Sequence, residues 1–288
     1  MKKTAYFALP LMAAGLATSA LTGCLNSTIA MREETAERIA GPAFMVERDI
    51  PAQPFLLTAY ERVHENGGTA NIYIEGDGLA WVSKSRISLD PTPKNPVSLH
   101  LASRDKAENV IYLARPCQYS KLLDAPETPC NSAYWTNKRF APEVLSAYDA
   151  ALDNIKARYG ISGFNLVGFS GGGAVAAILA GQRNDVLSLR TVAGNLDHRA
   201  HSAYHHVTYL DDSLNPPEYA AKLRTVPQYH FLGGRDAIVP PAVLHSYLQA
   251  LGPSRCVQYE LIQDAGHDEG WVNKWPELLA KKPVCTVN

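Results

Sequence analysis

A serine between glycines is the first candidate for chemistry in this chain. Ser170 stands at the centre of the G-x-S-x-G pattern Gly168–Gly172. An apolar run precedes the pattern, and a small, apolar, helix-like run, residues 174–180, follows it. A strand that turns into a helix within a couple of residues holds a serine at the apex of the turn, and glycines are favoured two positions to either side because larger side chains would collide. The pattern therefore predicts a nucleophilic serine in preference to an ordinary glycine-rich turn.

A serine hydroxyl is a weak nucleophile at neutral pH, so the hypothesis requires a base and an acid elsewhere in the chain. His267 lies five residues past a predicted strand that ends at Ile262, and Asp236 lies four residues past a predicted strand that ends at Leu232. Functional side chains gather just beyond the carboxyl ends of strands in wound sheets. Asp236 and His267 are therefore the candidates, while Asp197, after the preceding strand, is a rival for the acid.

Three short blocks of the chain resemble the signature blocks of the α/β-hydrolase superfamily. They are Gly168–Gly172, Gly234–Pro240 and Ala265–His267, in the order serine, acid, histidine. The resemblance covers roughly residues 55 to 280, the span that contains these blocks and the strands around them. It implies that Ser170 is the nucleophile, His267 the general base and Asp236 the acid that orients the imidazole.

The superfamily resemblance also implies two backbone donors for an oxyanion. One is the N–H of Gly171, the residue after the nucleophile, and the other comes from the loop after an early strand. Residues 75–78 occupy that place, with Glu75 where such families usually show a histidine. The second donor stays open between Asp77 and Gly78. The Asp77 amide is favoured because it directly follows the glycine at the strand end; an inward Asp77 side chain would repel anionic substrates.

Alternating strands and helices predict the fold class. Strands are expected at Phe55–Val63, Asn71–Glu75, Asn109–Arg115, the run into Ser170, Val186–Val192, Gln228–Leu232 and Cys256–Ile262. Helices are expected at 97–102, 142–160, after Ser170, at Pro240–Leu251 and at Gly270–Ala280, with a short helix at Met31–Ile39. This order indicates an α/β protein with a doubly wound, mostly parallel sheet of the α/β-hydrolase type.

A polar and aromatic insertion, residues 196–225, follows a predicted strand on the candidate active face. It carries His198, His201, His205 and His206. The i, i+4 spacing of His201 and His205 can share a metal on a helix, yet no H-E-x-x-H zinc signature accompanies it. We therefore expect no metal here, and we interpret the insertion as a possible lid or substrate wall.

The amino terminus has the features of a targeting segment. Lys2 and Lys3 precede an apolar run from Ala5 to Leu21, and residues 21–24 resemble the lipobox of bacterial lipoproteins. The resemblance implies a signal peptide at 1–23, a lipid on the Cys24 thiol, a tether at 24–50 and a hydrolase domain at 51–288. Because the residue after the cysteine is not aspartate, the usual sorting pattern favours the outer membrane. A plain signal peptide or an uncleaved anchor is the alternative, and no other run is long and apolar enough to cross a bilayer.

The remaining four cysteines fit an exported protein. Cys117, Cys130, Cys256 and Cys285 allow three disulfide connectivities, of which we favour the nearest neighbours in sequence, Cys117–Cys130 and Cys256–Cys285. Four free thiols would instead suit a reducing cytoplasm, and their irregular spacing does not resemble a zinc site. The formal net charge of -1 shows no excess of basic residues of the kind that binds nucleic acid, so we expect no nucleic-acid partner.

Taken together, the residues and the resemblance predict a serine hydrolase of the bacterial cell envelope that cleaves carboxylic esters through an acyl-enzyme. The expected partners are a small-molecule or lipid ester and, through the lipid anchor, a membrane; no cofactor is implied. The same catalytic residues would serve a peptidase, a thioesterase or a depolymerase, because the fold does not select among them. A non-catalytic envelope protein that uses the fold for binding or as a scaffold is the alternative from another class.

Overall fold

The computed structural model describes residues 29–120 and 129–286 of the 288-residue chain. The predicted signal peptide at 1–23, Cys24 and the first residues of the predicted tether lie outside the described residues. No helix in the described part is long and apolar enough to cross a membrane.

An eight-stranded sheet forms the centre of the molecule, with strand order β1-β2-β6-β3-β7-β8-β9-β10. Its strands are β1 (Val46–Ala52), β2 (Phe55–Val63), β3 (Thr69–Ile74), β6 (Asn109–Leu113), β7 (Gly163–Phe169), β8 (Val186–Val192), β9 (Gln228–Gly233) and β10 (Val257–Ile262). The β1–β2 and β2–β6 pairs are antiparallel, whereas every other neighbouring pair is parallel. The predicted mostly parallel sheet is confirmed. A separate hairpin is formed by β4 (Trp81–Ser83) and β5 (Arg86–Ile87).

Helices connect the parallel strands. They are α1 (residues 29–40), α2 (Val97–Ala102), α3 (Pro142–Tyr159), α4 (Gly171–Gln182), α5 (His198–His205), α6 (Ala220–Leu223), α7 (Pro241–Leu251) and α8 (Trp275–Ala280). Within the part of the chain that the structure describes, three short 3₁₀ helices lie at Gly41–Ala43, Ser132–Trp135 and Pro216–Tyr219. Helices α3 and α7 begin at prolines, whose fixed φ suits the first helical turn, and α3 ends at a glycine in the left-handed conformation.

Apolar side chains cover both faces of the sheet. Within β7, Leu166 belongs to one buried cluster, with α3, α4 and α7, and its neighbour Val167 belongs to a second cluster, with α1, α2 and α8. Successive side chains of a strand point to opposite faces, so a strand buried on both sides is apolar throughout. The sheet is therefore a rigid layer between two cores, and the loops at its carboxyl edge are held from both sides.

The register of β3 against β7 brings two loops together. Ile74 pairs with Gly168, so both strands reach the carboxyl edge of the sheet at the same level. Strand β3 continues into the loop that begins at Glu75, and β7 continues into the turn that contains Ser170. Pairing in parallel register therefore places the predicted oxyanion loop beside the predicted nucleophile.

Two segments differ from the sequence-based expectation. Residues 29–50, in the segment expected as a polar tether, include α1, where a short helix was predicted at Met31–Ile39, and most of β1, which was not predicted; both contribute buried side chains, such as Ala36 and Ile50. The last helix was predicted at Gly270–Ala280 but begins only at Trp275, because Gly270 has a left-handed φ of 86° that interrupts helical geometry and Pro276 suits a first turn.

Both predicted disulfides are confirmed. Cys117 is bonded to Cys130 across 13 residues, and Cys256 is bonded to Cys285 across 29 residues. The first bond closes part of the long connection after β6, and the second attaches the carboxyl-terminal segment beside the start of β10.

Candidate active site

Ser170 occupies the turn between β7 and α4. Its backbone has φ 51° and ψ -121°, a conformation that residues with a side chain rarely adopt. Its N–H donates to Val192 O at 3.0 Å, and its carbonyl accepts from Gly173 N and Asn195 N, both at 2.9 Å. A Cβ on Gly168 would lie 2.3 Å from Gly172 O, so only glycine permits this turn. The predicted strand–turn–helix geometry is thus present, with the serine at the apex.

His267 lies beside the serine on the loop after β10. Its Nε2 is 2.9 Å from Ser170 Oγ. The Phe169 ring is 5.2 Å from the imidazole, centroid to centroid, and the Trp271 indole donates to the His267 carbonyl at 2.9 Å. These contacts hold the loop and the ring from two sides, so the Nε2 atom is placed where it can accept the serine proton.

Asp236 completes the hydrogen-bonded chain. Its Oδ2 lies 2.9 Å from His267 Nδ1, and its Oδ1 accepts from the amides of Ile238 and Val239, each at 2.8 Å. The Asp236 side chain is fully buried, whereas that of His267 is 18% exposed. Both carboxylate oxygens are therefore satisfied, and the orientation of the carboxylate fixes which imidazole nitrogen faces the serine.

Asp197, the rival acid, is engaged elsewhere. It is the N-cap of α5 and accepts from the amides of Arg199 and Ala200. Its carboxylate also accepts from Asn215 Nδ2 at 2.8 Å and from Ser246 Oγ at 2.7 Å. The structure therefore brings Asp236, and not Asp197, to the imidazole.

The loop that follows β3 lies against the serine. A Cβ on Gly76 would be 3.3 Å from the Ser170 Cβ, which makes Gly76 a direct neighbour. Gly76 N donates to Glu75 Oε1 at 2.8 Å, and Gly76 O accepts from Gln118 Nε2 at 3.0 Å. Within residues 29–120 and 129–286, the amide of Asp77 donates to no other residue. It follows the glycine that touches Ser170, which favours it as the second oxyanion donor beside Gly171.

Glu75 stands where α/β-hydrolase families usually have a histidine, and its side chain is buried beneath the backbone of this loop. It is 2% exposed, and its Oε1 accepts from Gly76 N and, at 3.4 Å, from Ser98 N. Burial raises the pKa of the Glu75 carboxyl to about 7, while the hydrogen bonds from Gly76 and Ser98 oppose the rise. This carboxyl therefore supports the loop from below and titrates near neutral pH.

The Asp77 side chain is ion-paired with two arginines. Arg115 Nη1 lies 2.9 Å from Asp77 Oδ1, and Arg139 Nη1 lies 3.2 Å from Asp77 Oδ2. Sequence reasoning missed both arginines and Gln118, which holds the Gly76 carbonyl. The sequence held one signal for Arg115, because this residue follows the carboxyl end of β6, on the sheet edge that carries Ser170. Arg139 lies in the long connection between β6 and α3, where no hydrophobic periodicity indicates its position.

The predicted insertion, residues 196–225, contributes α5, which contacts the loop that carries Asp236. The Nε2 atoms of His201 and His205 lie 3.0 and 2.8 Å from the Ile238 carbonyl, two residues after Asp236. Burial, followed by the nearby His205, lowers the pKa of His201 to about 4. No group of three or more His, Cys, Asp or Glu side chains in the described residues is arranged to hold a metal. His198 is buried and stacks on Phe140, with ring centroids 5.9 Å apart.

Comparison with known proteins gives a fold and no closer relationship. No protein-family model matches the chain, and no curated protein matches it. Among solved structures, an esterase of Pyrococcus furiosus has a TM-score of 0.56 at 14% identity, over 83% of this chain and 93% of its own. An α/β serine hydrolase homologue of Coxiella burnetii has a TM-score of 0.53 at 16% identity, over 81% of this chain and 93% of its own. A bacterial membrane phospholipase A has a TM-score of 0.54 at 14% identity, over 92% of this chain and 94% of its own. The chain therefore has the α/β-hydrolase fold.

Proposed function

We propose that this protein is a serine hydrolase that cleaves carboxylic esters through an acyl-enzyme intermediate. One observation carries the proposal: Ser170 Oγ, the His267 imidazole and the Asp236 carboxylate form a continuous hydrogen-bonded chain, with contacts of 2.9 Å on each side of the imidazole. A nucleophile, a base and a group that orients the base, in this order and geometry, constitute the activated serine of acyl-transfer enzymes.

The proposed reaction begins when His267 Nε2 accepts the Ser170 proton as Oγ attacks the ester carbonyl. Asp236 holds the imidazole by Nδ1 and stabilises the imidazolium that forms. The imidazolium then protonates the departing alcohol, leaving the acyl group on Ser170. In the second half, His267 takes a proton from water, the hydroxide attacks the acyl carbonyl, and the proton returns to the serine oxygen.

The tetrahedral intermediates of both halves carry a negative oxygen. We propose that the N–H of Gly171, the first residue of α4, and the N–H of Asp77, in the loop after β3, stabilise this oxygen, because the β3–β7 register brings the two segments together. Fixed backbone donors of this kind stabilise charge that develops only in the transition state, and losing one typically lowers kcat by about 10²- to 10³-fold. They are the proposed oxyanion hole.

Esters are the preferred substrate class for two reasons. The neighbouring solved structures include proteins described as an esterase and as a membrane phospholipase A, and a lipid ester would suit a protein anchored at a membrane. The anchor itself remains part of the proposal and rests on the lipobox-like residues 21–24 and Cys24. A peptidase, a thioesterase or a depolymerase would use the same three residues, whereas a scaffold protein would use none of them.

Turnover of p-nitrophenyl esters of graded acyl length tests the proposal. We expect hydrolysis by the wild-type protein and a loss of kcat by roughly 10⁴- to 10⁶-fold in Ser170→Ala. Ser162→Ala, on an exposed serine at the opposite end of β7, is the matched control and should retain wild-type rates. Equal rates in wild type and Ser170→Ala would refute the serine mechanism. The acyl-length profile separates short-chain esterase from lipase activity.

A further inference from the structure

A carboxylate lies directly beside the proposed oxyanion hole. A Cβ at position 171 would be 2.1 Å from Asp77 Oδ1 and 2.9 Å from Oδ2, so the Asp77 carboxylate packs on the Cα of Gly171. The Gly171 amide belongs to the same residue. A fixed negative charge at this distance would repel an oxyanion that forms at that amide, since unit charges a few ångströms apart interact strongly in a partly buried site.

Two arginines from different parts of the fold balance this carboxylate. Arg115 follows β6, and its side chain is 5% exposed; Arg139 precedes α3, and its side chain is 16% exposed. Each guanidinium binds a different oxygen of Asp77, Arg115 the Oδ1 and Arg139 the Oδ2. One carboxylate with two arginines gives this group, the Asp77 clamp, a formal charge of +1 beside the serine.

The clamp is rigid. Arg115 Nη2 also donates to the Arg139 carbonyl, so the two arginines are joined to each other. Both guanidiniums lie against the buried Phe140 ring, with Cζ atoms 5.3 and 5.7 Å from its centroid. Gln118 accepts from Arg115 N at 3.0 Å and donates to Gly76 O at 3.0 Å. The charges therefore cannot move apart without disturbing the loop that touches Ser170.

We propose that Arg115 and Arg139 are positioning residues of the oxyanion hole: they hold the Asp77 loop in place and neutralise the Asp77 carboxylate, so that an anionic tetrahedral intermediate can form at Gly171. The inference rests on the proposed function. The arginines act through Asp77, and the substrate is not their ligand. Removing one arginine lowers the formal charge of the clamp from +1 to zero and leaves one carboxylate oxygen unpaired beside the intermediate, and removing the Asp77 charge as well restores the charge of +1.

The test is a double-mutant cycle on Asp77 and the less buried arginine, Arg139, measured on wild type, both single variants and the double variant. Arg139→Gln should lower kcat on a neutral p-nitrophenyl ester by about 10- to 100-fold with KM changed less than about threefold. Arg139→Lys, which keeps the charge, should recover most of this loss. Adding Asp77→Asn to Arg139→Gln should raise kcat at least fivefold above Arg139→Gln alone, a rescue that a merely structural role would not give.

Arg183→Gln is the matched control. Arg183 is a 9% exposed arginine paired with Asp149, Asp153 and Asp185 beyond the far end of α4, a helix of 12 residues or about 18 Å. This variant should lower the melting temperature and leave kcat unchanged. Melting curves of all variants establish that each is folded. If Arg139→Gln unfolds, Arg139→Met replaces it in the same cycle, because it also removes the charge and keeps an unbranched side chain against Phe140.

Three results would overturn the inference. Failure of Asp77→Asn to rescue Arg139→Gln would show that the arginine does not act through this carboxylate. A rise in KM confined to an ester whose acyl chain ends in a carboxylate would show that Arg139 binds the substrate instead. Equal activity of wild type and Ser170→Ala, measured in the same assay, would remove the proposed function and the role of the clamp with it, and is distinguishable from the first two results.

Discussion

The proposed chemistry of this protein depends on a few side chains, and their neighbours determine the hydrogen bonding and protonation of each. Asp236 is buried and both its oxygens are hydrogen-bonded, whereas Glu75, the first residue of the oxyanion loop, is buried with one oxygen that has no hydrogen-bond partner among the described residues. The sequence marks Ser170, Asp236 and His267 because each follows a strand in a recognisable motif. Arg115 and Arg139 could not be assigned in advance, because their partner is defined by the folded loops and not by spacing.

The titration of Glu75 predicts a pH dependence of stability. Its pKa is raised by burial from 4.5 to about 7, so the folded state favours the neutral acid. The stabilisation is complete below about pH 4.5 and is lost as the pH rises through about 7. Between about pH 5.5 and pH 8, the free energy of unfolding should fall by about 2 kcal/mol more in wild type than in Glu75→Gln, as measured by urea denaturation. Parallel curves for the two proteins would contradict a buried, titrating Glu75.

At the scale of elements, regular strands and helices were predictable and irregular segments were not. The apolar runs at Phe55–Val63 and Val186–Val192 coincide with β2 and β8. Strand β1 was missed because it lies at the sheet edge and its first three residues are exposed, with Glu47 and Arg48 charged, so its sequence lacks a strand signal. The hairpin β4–β5 was missed for a similar reason, since every residue in it is exposed.

The two disulfides should differ in their effect on the active site. Cys117–Cys130 adjoins Gln118, which holds the Gly76 carbonyl, whereas Cys256–Cys285 restrains the carboxyl-terminal segment. Replacing either pair by alanine should cost about 3–4 kcal/mol of unfolding free energy. Only the Cys117→Ala/Cys130→Ala protein should also lose ester turnover, by several-fold. Thermal melts and kcat measured on both variants decide this, and an equal loss of turnover in both would refute the link between that loop and the oxyanion hole.

In the described residues, one eight-stranded sheet with a core on each face organises the molecule, and the candidate active site lies at the edge that both cores support. Leu166 belongs to one cluster and Leu99 to the other, and both are fully buried. Neither core can be lost without releasing strands that position Ser170. The sequence predicted this layered architecture from the alternation of strands and helices, but the strand order comes from tertiary packing that no local pattern encodes.

Cavity-forming substitutions in the two cores test whether the molecule unfolds as a unit. Leu166→Ala and Leu99→Ala should each lower the free energy of unfolding by about 2–5 kcal/mol. Each should shift a single transition, followed by circular dichroism and tryptophan fluorescence together. Leu187→Ala, on a residue that is 47% exposed in the neighbouring strand, is the control and should change stability by about 0.5 kcal/mol or less. Two separate transitions would show that the cores are independent.

The central claim is that Ser170 is the nucleophile of an acyl-transfer reaction. Its most direct measurement is the intact mass of the protein after treatment with a fluorophosphonate, followed by peptide mapping of the adduct. We expect one adduct per wild-type chain, located on Ser170, and none on Ser170→Ala. An adduct on another residue, or ester turnover by a protein that forms none, would contradict it.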